Sequence, residues 1–310
     1  MNWRTLAAFA SIGILWGSAW ILTPMLPPPP LLAGAARFAI AAVMLALASL
    51  GVRAWRKPSI RVFPLVPSLL LGLTMVGLPY AFAVWAKDSV SSGLIAVAYA
   101  AMPLAALFFR GNDSSTPIPA MAIGMGGIAV LVAQGITYST TQIGGLLLLA
   151  AAVILGAFSL NYAKRSIPKG CFLLSSAIQC AVASLLLISL SGMRGWPHPT
   201  PWSPSSVLAL TALAATEGAI ALPLLFWLLS KIEPWQTATL QWAATLCAVA
   251  EAAWFLRAKP TLQMGAGAVM ALGAIIWLMR PSVGSESDSG TVTLQMTSPI
   301  RSRSRASDSK

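Results

Sequence analysis

The chain has 310 residues, of which 57% are hydrophobic and only 9% charged, against roughly a quarter charged in an ordinary soluble domain. Its formal charge is +12, but the basic residues are scattered between apolar runs and no basic segment is interleaved with aromatics, which excludes nucleic acid as the natural partner. Three cysteines, Cys171, Cys180 and Cys247, fall in or at the ends of apolar runs without CxxC spacing, so neither a disulfide framework nor a metal site is indicated and no cofactor is expected.

The first apolar run covers 5–24. It carries a single early basic residue and no small-residue cleavage pattern, so it is read as a retained span and not as a signal peptide. Further runs follow at 31–51, 62–85, 90–109 and 118–133, and then at 144–162, 171–190, 205–230, 235–256 and 262–279. The pattern predicts an all-α polytopic membrane protein with ten transmembrane helices. Several runs contain Gly or Pro, which membrane helices tolerate where neighbours satisfy the freed carbonyls, and 118–133 is at the short end of the spanning range. Residues 281–310 are Ser-rich and lack aromatics. They read as a disordered tail whose RSRSR stretch at 301–305 either touches anionic headgroups, at about 1 kcal/mol per basic residue, or is simply solvated.

The stretch at 78–109, LPYAFAVWAKDSVSSGLIAVAYAAMPLAALFF, is an apolar helix ending in Lys87 and Asp88, a tight turn, and a second apolar helix interrupted by Pro103. A turn that short joins neighbouring antiparallel membrane helices. A similar pair returns from Ala221, ALPLLFWLLSKIEPWQTATLQWAATLCAVAE, and marks an internal repeat. The division is 1–136 for a first five-helix repeat, 137–280 for a second, and 281–310 for the tail. With the N-terminus in the cytoplasm, the inner segments collect Arg4, Arg53, Arg56, Lys57, Arg61, Arg110, Lys164, Arg165, Lys169, Lys231 and Arg280, against Lys87, Arg194, Arg257 and Lys259 outside, eleven to four. This positive-inside bias predicts both termini cytoplasmic and a cytoplasmic or inner membrane location. Five spans is an odd number, so the second repeat enters from the opposite face, the inverted arrangement of alternating-access carriers.

Only Arg37, Glu217 and Glu251 are ionisable and well inside predicted spans. A charge at the bilayer centre costs about 2.5–3.5 kcal/mol on insertion scales, so each needs a partner, a wet cavity or a neutralised state. Glu217, near mid-depth, either loads and releases a proton as the cavity opens to either face, or is a protonated packing residue. Arg37 and Glu251 each fall roughly 9 Å below the outer surface at 1.5 Å per residue; that permits an ion pair, which is either a gate broken by a carboxylate substrate or a static contact. Among the aromatics, Trp16 and Tyr80 are cavity candidates, while Trp3, Trp55, Trp196 and Trp202 fit the interfacial belt. Pro103, with Gly93 near the start of its helix, is expected to kink its span and shape the cavity.

LWGSAW at 15–20, PPLLAGAARFAIAAVML at 29–45, VSSGLIAVAYAAMPLAALF at 90–108 and PTLQMGAGAVMALGAI at 260–275 resemble, in order and duplication, the drug/metabolite transporter superfamily and in particular its EamA-like permeases. The resemblance implies a ten-helix secondary transporter, often an exporter of amino acids or other small metabolites, with a central cavity between inverted five-helix halves; protons as coupling ion rest on the reading of Glu217 above. Where family members commonly carry an acidic residue near the end of the fourth span, this chain has FFRGNDSS and FLRAKPT, with Arg110 and Arg257, and Thr245 stands at the second-repeat counterpart of Pro103. A passive channel or lipid scramblase is the alternative. An enzyme is disfavoured, because the one histidine, His198, lies in an outside loop and neither HExxH nor a paired intramembrane Asp occurs.

Overall fold

A computed structural model of the chain describes residues 2–27, 29–55, 63–109, 117–135, 142–193, 202–255, 257 and 261–280. The basic residues Arg56, Lys57, Arg61, Arg110, Arg194 and Lys259, His198, and the proposed tail at 281–310 lie outside the described residues. The helices belong to one compact unit, Met1–Met279; of the second unit, Arg280–Lys310, only Arg280 is described.

Among the described residues the secondary structure is entirely helical. In chain order the helices are α1 (Trp3–Leu22), α2 (Pro30–Trp55), α3 (Leu65–Leu71), α4 (Leu78–Ala86), α5 (Ser92–Ala100), α6 (Met102–Phe108) and α7 (Ile118–Val132). Then come α8 (Ile143–Ser166), α9 (Phe172–Met193), α10 (Pro204–Leu213), α11 (Leu222–Leu229), α12 (Pro234–Ala238), α13 (Leu240–Phe255) and α14 (Leu262–Leu278). Six continuous helical stretches among the described residues are long and apolar enough to cross a membrane, and Ser92–Phe108, Ile118–Val132 and Leu262–Leu278 are shorter apolar helices.

Two of the long stretches contain a wide turn. Gly72–Gly77 joins α3 to α4 and Ala214–Ala221 joins α10 to α11, each in π-helical conformation. A Leu-Pro pair follows both, Leu78-Pro79 in one and Leu222-Pro223 in the other. Proline supplies no N–H to the carbonyl four residues back and its ring collides with that carbonyl; widening the preceding turn relieves the clash without breaking the rod. The Leu78 N–H accordingly reaches back to the Leu73 carbonyl, five residues away.

The packing follows from small residues. α2 lies along α9, α1 along α13, α7 along α14, and α4 on α8. Polar side chains join neighbouring helices: Ser184 of α9 donates to the Ala35 carbonyl of α2 at 2.8 Å, Ser68 of α3 and Ser175 of α9 share a hydrogen bond of 2.9 Å, and Ser159 of α8 donates to Thr74 of the first π segment at 2.8 Å; within α9, Gln179 donates to Ser175 at 3.0 Å. The outer surface instead carries exposed Leu47, Leu147, Leu185, Leu208, Val269 and Leu272. Polar groups turned inward and aliphatic ones outward is the arrangement a hydrocarbon solvent selects.

Pro103 does interrupt its span. α5 ends at Ala100, and α6 restarts at Met102 with the proline in its first turn, where the missing N–H has no intrahelical acceptor to serve. The Trp242 indole of α13 donates to the Ala100 carbonyl at 2.9 Å, and Asn161 of α8 donates to the Ala106 carbonyl at 3.0 Å, so both sides of the break are held from neighbouring helices.

The α7–α14 seam tests the packing argument. A Cβ on Gly267 would lie 2.5 Å from the Leu131 amide nitrogen and 2.6 Å from the Gly127 carbonyl oxygen, whereas a Cβ on Gly265 would meet nothing within 4 Å. Gly267→Ala is expected to destabilise the protein by about 1–3 kcal/mol, and Gly265→Ala to change it by less than about 0.5 kcal/mol, as measured by thermal unfolding in detergent micelles.

Candidate functional site

A cavity of about 660 Å³ occupies the middle of the bundle, bounded by α1, α2, the two π-containing stretches, α5, α8 and α13. Thr23, Pro24, Leu26, Pro27, Lys87 and Asp88 line it at one end, so it reaches the face of the bundle that carries the α1–α2 and α4–α5 connections.

One ion pair sits in its wall. Arg37 of α2 and Glu217 of the second π segment meet at 2.7 Å between Nη1 and Oε2, with side chains 8% and 16% exposed. Both charges point to the same place for a steric reason: a Cβ on Gly218 would collide with the Ala41 side chain, so the wide turn can press against α2 only because residue 218 is glycine. The guanidinium is then covered by two rings, 4.7 Å from the Phe38 centroid and 5.0 Å from that of Tyr80. Those rings meet edge to face at 5.4 Å, and the Tyr80 hydroxyl donates to the Pro30 carbonyl at 3.4 Å. Gly34 makes room for the phenol, since a Cβ there would overlap the Tyr80 ring. Aromatic faces are attractive surroundings for a desolvated cation.

Among the sequence candidates, Trp16, Arg37, Tyr80 and Glu217 border this cavity, and Pro103 and Glu251 do not. The suggested pairing of Arg37 with Glu251 is corrected by the Arg37–Glu217 contact. α13, which carries Glu251, packs along α1, while α2 packs against α9 and the second π segment. Glu251 Oε2 finds no hydrogen-bond partner among the described residues. Trp20 and Tyr99 also line the cavity. Lys87 Nζ lies 5.9 Å from the Trp20 ring centroid; just beyond the span, burial at the cavity mouth and, secondarily, the Arg37 charge hold its ammonium below the usual lysine pKa. Trp242, another aromatic near a span end, is fully buried and serves the α5–α6 break.

Sequence reasoning missed what lies beneath. A second, small void of about 70 Å³ is bordered by Leu160, Thr237 and Ala238 together with six residues of the main cavity wall. The α8–α12 contact is tied by Lys164, which meets Glu233 at 2.6 Å and donates to the Ile232 carbonyl at 3.1 Å. Gln236 donates to the Leu278 carbonyl at 2.9 Å and accepts from the Glu233 amide at 3.1 Å. The signal available was the Glu-Pro-Trp-Gln run at 233–236, a capping-box pattern that places a carboxylate at the start of α12.

An apolar outer surface, spans with proline-widened turns and an internal cavity holding a paired charge define a multi-pass helical membrane protein built around a solute-sized site. Residues 142–280 match the EamA-like transporter family. Over 239 residues, 74% of this chain and 77% of the relative, the sequence is 24% identical to Protein PagO of Salmonella typhimurium strain LT2. A crystal structure of a protein with 16% identity superposes with a TM-score of 0.76, covering 90% of this chain and 98% of that one, and shares the fold. The similarity to the EamA-like transporter family thus lies in the stretch from α8 to α14.

Removing one half of a buried pair strands the other. Arg37→Met is expected to destabilise the protein by about 3–5 kcal/mol, and Arg37→Met with Glu217→Met to recover most of that loss; a double-mutant cycle of thermal unfolding checks both statements.

Proposed function

We propose that the protein is a secondary carrier that exports small organic metabolites such as amino acids by alternating access, with Glu217 as the group that exchanges a proton. In this reading ten spans form two inverted five-helix repeats, 1–136 and 137–280, with both termini cytoplasmic in a cytoplasmic or inner membrane. The spans are α1; α2; α3 with α4; α5 with α6; α7; α8; α9; α10 with α11; α12 with α13; and α14. Support for the repeat comes from the two Leu-Pro-widened turns, from the breaks at Ala101 and Thr239 in the two helices that follow them, and from the family match over 142–280.

The observation that carries the reading is the Arg37–Glu217 pair in the wall of a cavity of about 660 Å³. A ligand bearing both a carboxylate and an ammonium can take over each half of that pair one for one. When Glu217 releases Arg37 it needs another positive partner, and the ligand's ammonium or a proton supplies one. The positive-inside count assigns the lined end with Lys87 and Asp88 to the outside, and the Lys164–Glu233 tie then lies on the inner side. A cavity entered from one face and tied shut towards the other suits a carrier better than a passive channel.

The test is proton flux into proteoliposomes holding an internal pH dye, challenged with a panel of amino acids and other metabolites, for the native chain and Glu217→Gln. The expected outcome is that at least one compound drives proton movement through the native protein and not through the variant. Labelled substrate moving with no proton signal in either protein would remove proton exchange and leave Glu217 as a structural partner of Arg37.

A further inference from the structure

Trp16, Met75, Met102, Gly156, Leu225 and Gln241 border both the large cavity and the small void, whereas Arg37 and Glu217 border only the large one. These six residues are therefore the partition between the two spaces, and four of them are bulky and apolar. Within the partition Met102 is seated on Gly156: a Cβ added to Gly156 would come within 2.8 Å of the Met102 methyl carbon and 3.6 Å of its sulfur. Met102 is 6% exposed and is the first residue of α6, so its position depends on the break that Pro103 imposes and that Trp242 and Asn161 hold. A methionine is a deformable filler, and a glycine opposite its tip lets it reach furthest across the gap.

We propose that Met102, seated on Gly156, is the specificity-determining residue that sets the depth of the substrate site, capping the length of the apolar end of a ligand whose polar end engages Arg37 and Glu217. This rests on the carrier reading above and adds a length limit to it. Two opposite perturbations follow. Shortening residue 102 joins the void of about 70 Å³ to the main cavity and deepens the site. A methyl group on residue 156 pushes the Met102 tip back into the main cavity and makes the site shallower.

The experiment measures binding to the full-length protein in detergent, read by tryptophan fluorescence because Trp16 and Trp20 line the cavity. The probes are straight-chain L-α-amino acids lengthened one carbon at a time from norvaline to 2-aminodecanoate, offered to the native protein, Met102→Ala and Gly156→Ala. In the native protein affinity rises about fourfold per added carbon, the value of a buried methylene, and then falls sharply at the limiting length. Met102→Ala moves that limit to longer chains and Gly156→Ala moves it to shorter ones. A variant that is merely damaged weakens every probe together, so the opposed shifts cannot arise from misfolding. The same limiting length in all three proteins overturns the assignment of Met102 and leaves the carrier reading intact. No fluorescence response to any probe in the native protein overturns the amino-acid reading itself, and the length limit with it.

Discussion

A guanidinium inside a bundle whose outer surface is aliphatic has to be paired, and the structure around Arg37 is organised by that requirement. The partner comes from a distant part of the chain, 180 residues further on, at 2.7 Å. Its arrival depends on a sequence of small causes. Pro223 widens the turn before it, the widened turn carries Glu217, and glycine at 218 lets that turn press on Ala41 of α2. Phe38 and Tyr80 then cover the guanidinium, and Gly34 gives the phenol its space. An isolated charge inside a membrane span costs several kcal/mol, so these local features act together to give one consistent outcome: a neutral pair in a cavity wall.

The two ends of the cavity are built differently. Towards the mouth, the wall consists of ring faces, prolines and the charged turn at Lys87 and Asp88. Away from the mouth come an apolar partition and a small void bordered by Thr237 and Ala238 of α12, and the start of that same helix is held by Lys164, which binds both the Glu233 carboxylate and the Ile232 carbonyl. Apolar contacts such as Met102 on Gly156 have no directional preference and can slide, whereas the Lys164–Glu233 tie is made or broken as a unit. In the proposed cycle these are the parts that would have to change when access passes to the other face. α12, five residues long, contributes Thr237 and Ala238 to the small void and has Glu233 of the tie at its start.

Much of this architecture was legible without coordinates. Hydropathy located the apolar runs, because burial in hydrocarbon leaves little choice of residue, and the helices fall on them. Pro103 was legible as a break because a missing N–H is a property of the residue itself. Arg37 and Glu217 were legible as candidates because an ionisable group in an apolar run is costly wherever it points. Lys164 was visible as a basic residue at a span end, but as a count towards orientation and not as half of an ion pair.

What the chain alone determined was position along each helix: the distance of Arg37 and of Glu251 from their span ends follows from a fixed rise per residue. What only the tertiary structure decided was azimuth and neighbour. A polyalanine-like surface of Ala and Gly offers many nearly equivalent ways to pack, and the choice among them depends on contacts such as Gly218 on Ala41, Gly267 on Leu131 and Trp242 beneath Gly124. That choice set α2 beside the Glu217 turn and α13 beside α1, and thereby gave Arg37 its partner, removed Glu251 from the cavity and placed Met102 across its floor. Pair formation, cavity shape and partition depend on which side chains face one another, a three-dimensional property that depth along a helix does not contain.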